Sequence, residues 1–301
     1  MSADYPQLEW DEAAEHACRS LVRLAVAEDL DRQQDWTTLS LVPLGAPGKA
    51  NVAARRPGIL AGMQAAAMVA AEYDSQLTFQ PAMKDGDTLA TGNVVARLAG
   101  PARSLLTAER VVLNVLSRIS GVATLTRQYV DAVTGTAAKI YDTRKTTPGW
   151  RRLEKLAVRA GGGYNHRLNL AAAVLIKDNH LALGAAPGEA SFTPAAAIAR
   201  ARAFLAEVPE VPPGGQWIVE VEVDNLDQLT EVLPAKPDAV LLDNMDCDTL
   251  RQAVQLRDRL APGIPLEASG GVNLQPVRSM AATGVERIRV GAVTPNDTWL
   301  G

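Results

Sequence analysis

The sequence is poor in cysteine, with only Cys18 and Cys247 in 301 residues. Two residues so far apart make neither a metal-ligand pair nor a disulfide framework, and a reducing compartment is expected. No run of about eighteen apolar residues occurs, so no membrane-spanning helix is expected. The first fifteen residues hold Asp4, Glu9, Asp11, Glu12 and Glu15. A secretory leader needs a basic start and an apolar run, and neither is there. Positive charge is not in excess either: 30 basic residues against 34 acidic ones leave −4. Bulk electrostatics thus gives no reason to expect nucleic acid or a membrane as a partner. Repeats and low-complexity tracts are also missing. The expectation is a cytoplasmic globular protein. Its 47% apolar and 21% charged composition is ordinary for one, and its length suits roughly two domains or one large barrel.

Periodicity organises the chain. Ala14, Cys18, Leu21, Val22 and Ala25 share a helical face over 11–29. Short strands over Asn51–Ala54, Gln76–Phe79 and Val94–Leu98, with a helix at Met63–Tyr73, read as a small α+β unit. Helices follow over about Arg103–Ser117 and Gly121–Val133. Beyond residue 135 six apolar runs start at Ala138, Ala173, Trp217, Ala239, Ile264 and Arg287. Helical patterns separate most of them, which predicts a parallel sheet with right-handed crossovers.

Polar residues gather after these strands: Asp142–Thr147, Lys177–His180, Glu220 and Glu222, Asp243-Asn244, Ser269–Gly271, and Gly291. In a barrel of parallel strands they converge on one mouth, where barrel enzymes do their chemistry. Between Arg144 and His180 lie eight Lys or Arg residues, opposed by Glu154 and Asp178 alone. An acidic protein with such a block is expected to bind a strongly anionic ligand. Arg152, Lys155 and Arg159 share one helical face, expected to be solvated or at a subunit interface. Arg144, Lys145, Arg167 and Lys177 sit at strand ends or in loops and read as ligand-facing. Ser269-Gly270-Gly271, read as opening a helix, with Gly291 on the next strand, suggests a phosphate cradle. Glu222 and Asp243 suit ribose hydroxyls, a hydrated Mg²⁺, or salt bridges to Lys145 and Lys177. Gly161 fits a helix C-terminus, and Gly162 and Gly163 read as slack that lets His166 and Arg167 reach the site.

The run DTRKTTPGWRRLEKLAVRAGGGYNHR at Asp142–Arg167, followed by LIKDNH at Leu175–His180, resembles the quinolinate phosphoribosyltransferase family. GILAG at Gly58–Gly62, VEVEVDN at Val219–Asn225, LLDN at Leu241–Asn244, EASGG at Glu267–Gly271 and TGVERIRVGA at Thr283–Ala292 extend the match in order. The resemblance implies an N-terminal α/β sandwich domain (1–115), an open TIM-like α/β barrel of about six parallel strands (116–292) and a tail (293–301) packing back towards the sandwich. It implies that quinolinate and phosphoribosyl pyrophosphate become nicotinate mononucleotide, pyrophosphate and CO₂ in de novo NAD synthesis, with Mg²⁺ as cofactor.

By the same resemblance, Arg144, His166, Arg167 and Lys177 hold the quinolinate dicarboxylate. Arg110 reaches that pocket from the partner of a homodimer, with assembly beyond the dimer left open. Lys145 contacts pyrophosphate, Thr143 lies in the same substrate-binding loop, and Glu222 and Asp243 serve the ribose and the metal, directly or through water. Ser269, Gly270 and Gly271 with Val290, Gly291 and Ala292 surround the 5′-phosphate. Lys145, Lys177, Glu222 and Asp243 form the expected catalytic set. Two segments depart from the family: Glu28–Thr37 lacks its usual glycines, and Ala292–Asp297 lacks its Thr-His-Ser. Three alternatives stand beside this reading: a sister enzyme using a related acid such as nicotinate, a Schiff-base aldolase built on Lys177, and a non-catalytic phosphoribosyl-ligand sensor.

Overall fold

A computed structural model describes residues 4–31, 33–185, 192–210, 212 and 215–294. The chain divides into two compact units, 8–127 with 146–163, and 1–7 with 128–145 and 164–301.

The first unit opens with α1 (Glu12–Leu30), capped by the Asp11 carboxylate, which accepts from the Ala14 N–H. Ala14, Cys18 and Val22 are its buried positions, as the spacing requires. Asp31 ends the helix at φ 43, so in the glycine-free segment an aspartate takes the left-handed turn, a conformation its short polar side chain tolerates. Helix α2 (Trp36–Leu41) starts where Asp35 accepts from the Thr38 N–H at 2.9 Å. Strands β1 (Pro47–Ala53), β3 (Thr78–Pro81) and β5 (Val94–Pro101) form an antiparallel sheet in the order β1-β5-β3. Strands β2 (Gly58–Ile59) and β4 (Thr88–Leu89) pair separately. Helix α3 (Met63–Tyr73) lies where the sequence puts it.

The two expected helices after residue 102 are one, α4 (Ala102–Ala132). Gly121 costs a helix interior only about 1 kcal/mol, and the buried face of Val115, Leu116, Ile119, Val122 and Ala123 continues across it. Helix α5 (Arg151–Ala160) also belongs to this unit, and its basic face is only partly solvated. Lys155 is fully buried, Arg152 lies 3.9 Å from Asp11, and Arg159 donates to the Gly163 carbonyl at 2.5 Å.

Nor are the three glycines that follow a slack linker. Gly162, at φ 89, takes the left-handed position expected of Gly161, whose φ is −71°. A Cβ on Gly161 would lie 2.5 Å from the Ala123 carbonyl oxygen, and one on Gly163 would lie 2.7 Å from Thr126 Cγ2. Close packing on α4 therefore demands glycine there.

The second unit carries β6 (Lys139–Tyr141), β7 (Val174–Ile176), α6 (Asp178–Gly184), α7 (Pro194–Ala206), β8 (Val219–Val223) and α8 (Leu226–Val232). It continues with β9 (Ala239–Asp243), α9 (Cys247–Leu260), β10 (Leu266–Ser269), α10 (Val277–Ala281) and β11 (Arg287–Arg289). All six strands are parallel, in the order β6-β11-β10-β9-β8-β7. Strands consecutive in the chain, β6 and β7, are the two edges, so the sheet is an α/β barrel left open between them. Its central strands are buried on both faces, as parallel strands under helices must be.

Two expectations about loops change. Lys177–His180 is not a loop: α6 starts at Asp178, and His180 Nδ1 accepts from the Lys177 N–H at 2.9 Å. The helix expected over Asn273–Thr283 shrinks to the five residues of α10. Among the described residues no helix is long and apolar enough to cross a membrane.

Candidate active site

The C-terminal strand ends of the barrel surround a cavity of about 750 Å³. Thirteen of the fifteen residues expected at the site line it. Thr143, Arg144 and Lys145 follow β6, and His166 and Arg167 come from the loop after Tyr164. Lys177 caps α6, Glu222 and Asp243 come from β8 and β9, Ser269–Gly271 end β10, and Gly291 and Ala292 follow β11. Val290 is not in the lining and is fully buried. Arg110 is exposed on α4, in the other unit.

One wall is cationic, and Arg167 is its buried member. Arg167 is only 8% exposed, and its Nη1 donates to the Ala173 carbonyl at 3.2 Å. Among the described residues no carboxylate lies within ion-pair distance of it. Burial, and then the Arg144 guanidinium, push its pKa down. A buried cation with a second guanidinium beside it favours a ligand that brings negative charge.

His166 beside them commits both ring nitrogens inside the protein. Nδ1 accepts the Arg167 N–H at 2.8 Å, and Nε2 lies 2.9 Å from Glu220 Oε2. Asp142 anchors this loop, accepting from the His166 N–H at 2.8 Å and from Asn165 Nδ2 at 2.7 Å.

The opposite wall pairs carboxylates with cations. Lys177 Nζ donates to Glu222 Oε2. Arg289 Nη2 stands 3.8 Å from the same oxygen and 3.1 Å from Ser269 Oγ, and its Nε is 3.6 Å from Glu267 Oε1. Asp243 Oδ2 accepts from Asn244 Nδ2 at 2.7 Å. Among the described residues, Glu222 and Asp243 each keep an oxygen uncommitted, a hard-oxygen donor set that fits a Mg²⁺ retaining most of its waters.

Behind this wall Glu220 and Glu267 are wholly buried. Burial opposes ionisation of Glu220, yet the His166 ring, Arg289 and the Tyr5 hydroxyl outweigh it and hold the pKa at about 2. Glu267 is pushed up to about 8, first by burial and then by the Glu220 charge. Among the described residues neither Glu267 oxygen has a hydrogen-bond donor. His166, Glu220 and Glu267 bring their donor atoms within 4.8 Å of one another. Arg289 and Arg287 supply the positive charge they face.

At the phosphate end, Gly270 sits at φ 92, where a Cβ would lie 2.1 Å from Asn244 Oδ1. Asn244 is itself left-handed, at φ 52, and its N–H donates to the Ser269 carbonyl at 2.9 Å. The turn does not open a helix as expected, because α10 begins only at Val277. What remains for an anion is the backbone N–H groups of the glycine turn and the 3₁₀ turn Gly291–Val293. Thr294 Oγ1 donates to the Lys145 carbonyl at 2.6 Å. The rest of the expected tail, 295–301, lies outside the described residues.

Sequence reasoning missed three lining residues, Leu175, Val272 and Arg289, while Asn244, expected at the mouth, lines the cavity without having been given a role. For Arg289 a signal existed. Arg287 and Arg289 are two apart on an otherwise apolar strand, and so share a face, as Glu220 and Glu222 do on β8.

An open parallel barrel with arginines, lysines, two carboxylates and a glycine turn at its mouth defines an enzyme of phosphorylated, multiply anionic substrates. The chain belongs to the quinolinate phosphoribosyltransferase family. Residues 122–300 match that family's C-terminal domain and 35–120 its N-terminal domain. The chain is 42% identical over 280 residues to a nicotinate-nucleotide pyrophosphorylase (carboxylating) of Mycobacterium leprae, a match covering 92% of this chain and 93% of that one. A probable nicotinate-nucleotide pyrophosphorylase (carboxylating) of Synechocystis is 39% identical over 275 residues, covering 91% and 88%. The solved structure of the nicotinate-nucleotide pyrophosphorylase from Francisella tularensis aligns with a TM-score of 0.84 at 33% identity, covering 97% and 95%. Family membership sets aside the aldolase and sensor readings of Lys177.

Proposed function

We propose that the barrel cavity binds quinolinate at its arginine wall and phosphoribosyl pyrophosphate across its carboxylates and glycine turn. The reaction is that of the family: quinolinate and phosphoribosyl pyrophosphate give nicotinate mononucleotide, pyrophosphate and CO₂, on the route to NAD. The observation that carries the site assignment is Arg167, a buried cation with the Arg144 guanidinium beside it and, among the described residues, no carboxylate within ion-pair distance, whose natural partner is an anionic ligand.

The pyridine nitrogen attacks the anomeric carbon as pyrophosphate departs. Positive charge develops on the ribose, and Glu222 and Asp243 favour it. Lys145 and Lys177 face the negative charge of the leaving group. Mg²⁺, held at Glu222 and Asp243, would neutralise pyrophosphate. The alkylated ring nitrogen is cationic and stabilises the carbanion left when the adjacent carboxylate leaves as CO₂. A solvent proton then completes the ring, so this step needs no dedicated acid.

Arg110 is exposed and outside the cavity lining, which supports a homodimer in which it completes the neighbour's site. The protein works in the cytoplasm.

Equilibrium titration tests the site. Quinolinate binds, and nicotinate, one carboxylate short, gives this cationic wall one contact fewer and binds far more weakly; equal affinities would overturn the assignment. Subunit mixing tests the dimer. Arg110→Ala and Lys177→Ala proteins are each inactive, and co-refolding them gives half heterodimers with one intact site each. About a quarter of wild-type activity returns. No recovery, with exchange verified by mass spectrometry, would place Arg110 outside the neighbour's site.

A further inference from the structure

Residues 4–7 precede both family-matched segments and fold with the barrel unit. Each polar side chain in this stretch that the barrel engages grips a different part of it. Asp4 accepts from the Tyr141 hydroxyl at 2.8 Å and faces Arg287 at 3.2 Å. Tyr5 is 2% exposed, with its ring centroid 4.2 Å from that of His166 and its hydroxyl donating to Glu220 Oε2. Gln7 brackets Asn165: its Oε1 accepts the Asn165 N–H at 2.7 Å, and its Nε2 donates to the Asn165 carbonyl at 3.1 Å. Asn165 immediately precedes His166 and Arg167.

We propose that Tyr5 and Gln7 are positioning residues for the quinolinate pocket, fixing the His166 ring and the 165–167 backbone and through them the Arg167 guanidinium. The proposal rests on the reading of Arg167 as a quinolinate ligand. The contacts act through the ring: His166 Nδ1 accepts the Arg167 N–H, and Nε2 faces Glu220 Oε2, the oxygen that Tyr5 also serves. Glu267 Oε1 lies farther from Nε2, at 3.5 Å. Tyr5 thus holds the ring from its face and through its Glu220 partner.

Steady-state kinetics on Tyr5→Phe, Gln7→Ala and Arg167→Met decide the matter, with melting temperatures and ¹⁵N-histidine spectra alongside. Three histidines in the chain make those spectra assignable. Tyr5→Phe keeps the stacked ring and loses one hydrogen bond to a charged acceptor, so the quinolinate KM rises about tenfold. The phosphoribosyl pyrophosphate KM and kcat stay within about twofold, the pattern of lost ground-state binding. Gln7→Ala shifts the quinolinate KM the same way, and it reports independently should Tyr5→Phe fold poorly. The wild-type His166 spectrum shows a single ring state, and Tyr5→Phe loosens it into a mixture. An unchanged quinolinate KM in both variants, while Arg167→Met loses quinolinate use, would overturn the positioning role. So would an equal rise in both KM values with a lowered melting temperature. Should Arg167→Met itself leave quinolinate use intact, the site reading fails and takes this proposal with it.

Discussion

Replacing Arg167 by methionine separates what a residue does for the fold from what it does for the site. The guanidinium is 8% exposed, accepts help from one neutral carbonyl at 3.2 Å, and lies beside Arg144 with its pKa pushed down. A buried cation in that state is held at the fold's expense. Methionine fills a similar volume with no charge to desolvate. Stability is therefore expected to hold or rise, by up to about 1 kcal/mol, which moves the melting temperature by about 2–4 °C. Function should move the other way. A carboxylate seated against the arginine loses its partner, and truncating one member of a buried pair costs about 3–5 kcal/mol. That is more than a hundredfold in kcat/KM for quinolinate. Calorimetric melting and pyrophosphate release on the same preparation measure both. A melting temperature that falls by several degrees while kcat/KM stays near wild type would show that Arg167 is structural, and would refute the reasoning.

Two further outcomes follow from the buried wall and the glycine turn. Glu267 rises from an ordinary 4.5 to about 8 in the folded protein, so between those values the native state keeps a proton that the unfolded chain has lost. Stability then falls as pH rises through that window and levels off above it, by at most a few kcal/mol. Glu267→Gln, permanently neutral, flattens this slope when melting is compared at pH 6 and pH 8.5, and an unchanged slope would place the titration elsewhere. Gly270→Ala puts a Cβ 2.1 Å from Asn244 Oδ1 at φ 92, costing about 1–3 kcal/mol. It raises the KM for phosphoribosyl pyrophosphate more than that for quinolinate; the reverse ratio would move the phosphate away from this turn.

The sequence made the barrel legible because each strand is short, apolar and followed by its own polar cluster. Asp142–Lys145, Lys177, Glu222, Asp243 and Ser269–Gly271 all fall where that rhythm puts them. Local pattern stopped helping where packing decides. Lys155 and Arg159 share a helical face with Arg152, yet helical spacing does not say that Lys155 is roofed over. Gly161 and Gly163 look like slack until α4 lies against them. Helix α4 looks like two because a glycine interrupts the pattern, while the buried face on either side holds it as one. Tyr5 and Gln7 were invisible for another reason. Their partners Glu220 and Asn165 are 215 and 158 residues away, and no periodicity carries information across such distances.

The central claim is that this chain joins quinolinate to phosphoribosyl pyrophosphate and decarboxylates the product. Purified protein given quinolinate labelled with ¹⁴C in its 2-carboxylate tests it most directly. The account predicts labelled CO₂ and pyrophosphate in equal amounts, only when phosphoribosyl pyrophosphate and Mg²⁺ are present, with nicotinate mononucleotide as the organic product. Pyrophosphate release from nicotinate at a comparable kcat/KM, or from quinolinate without labelled CO₂, would contradict it.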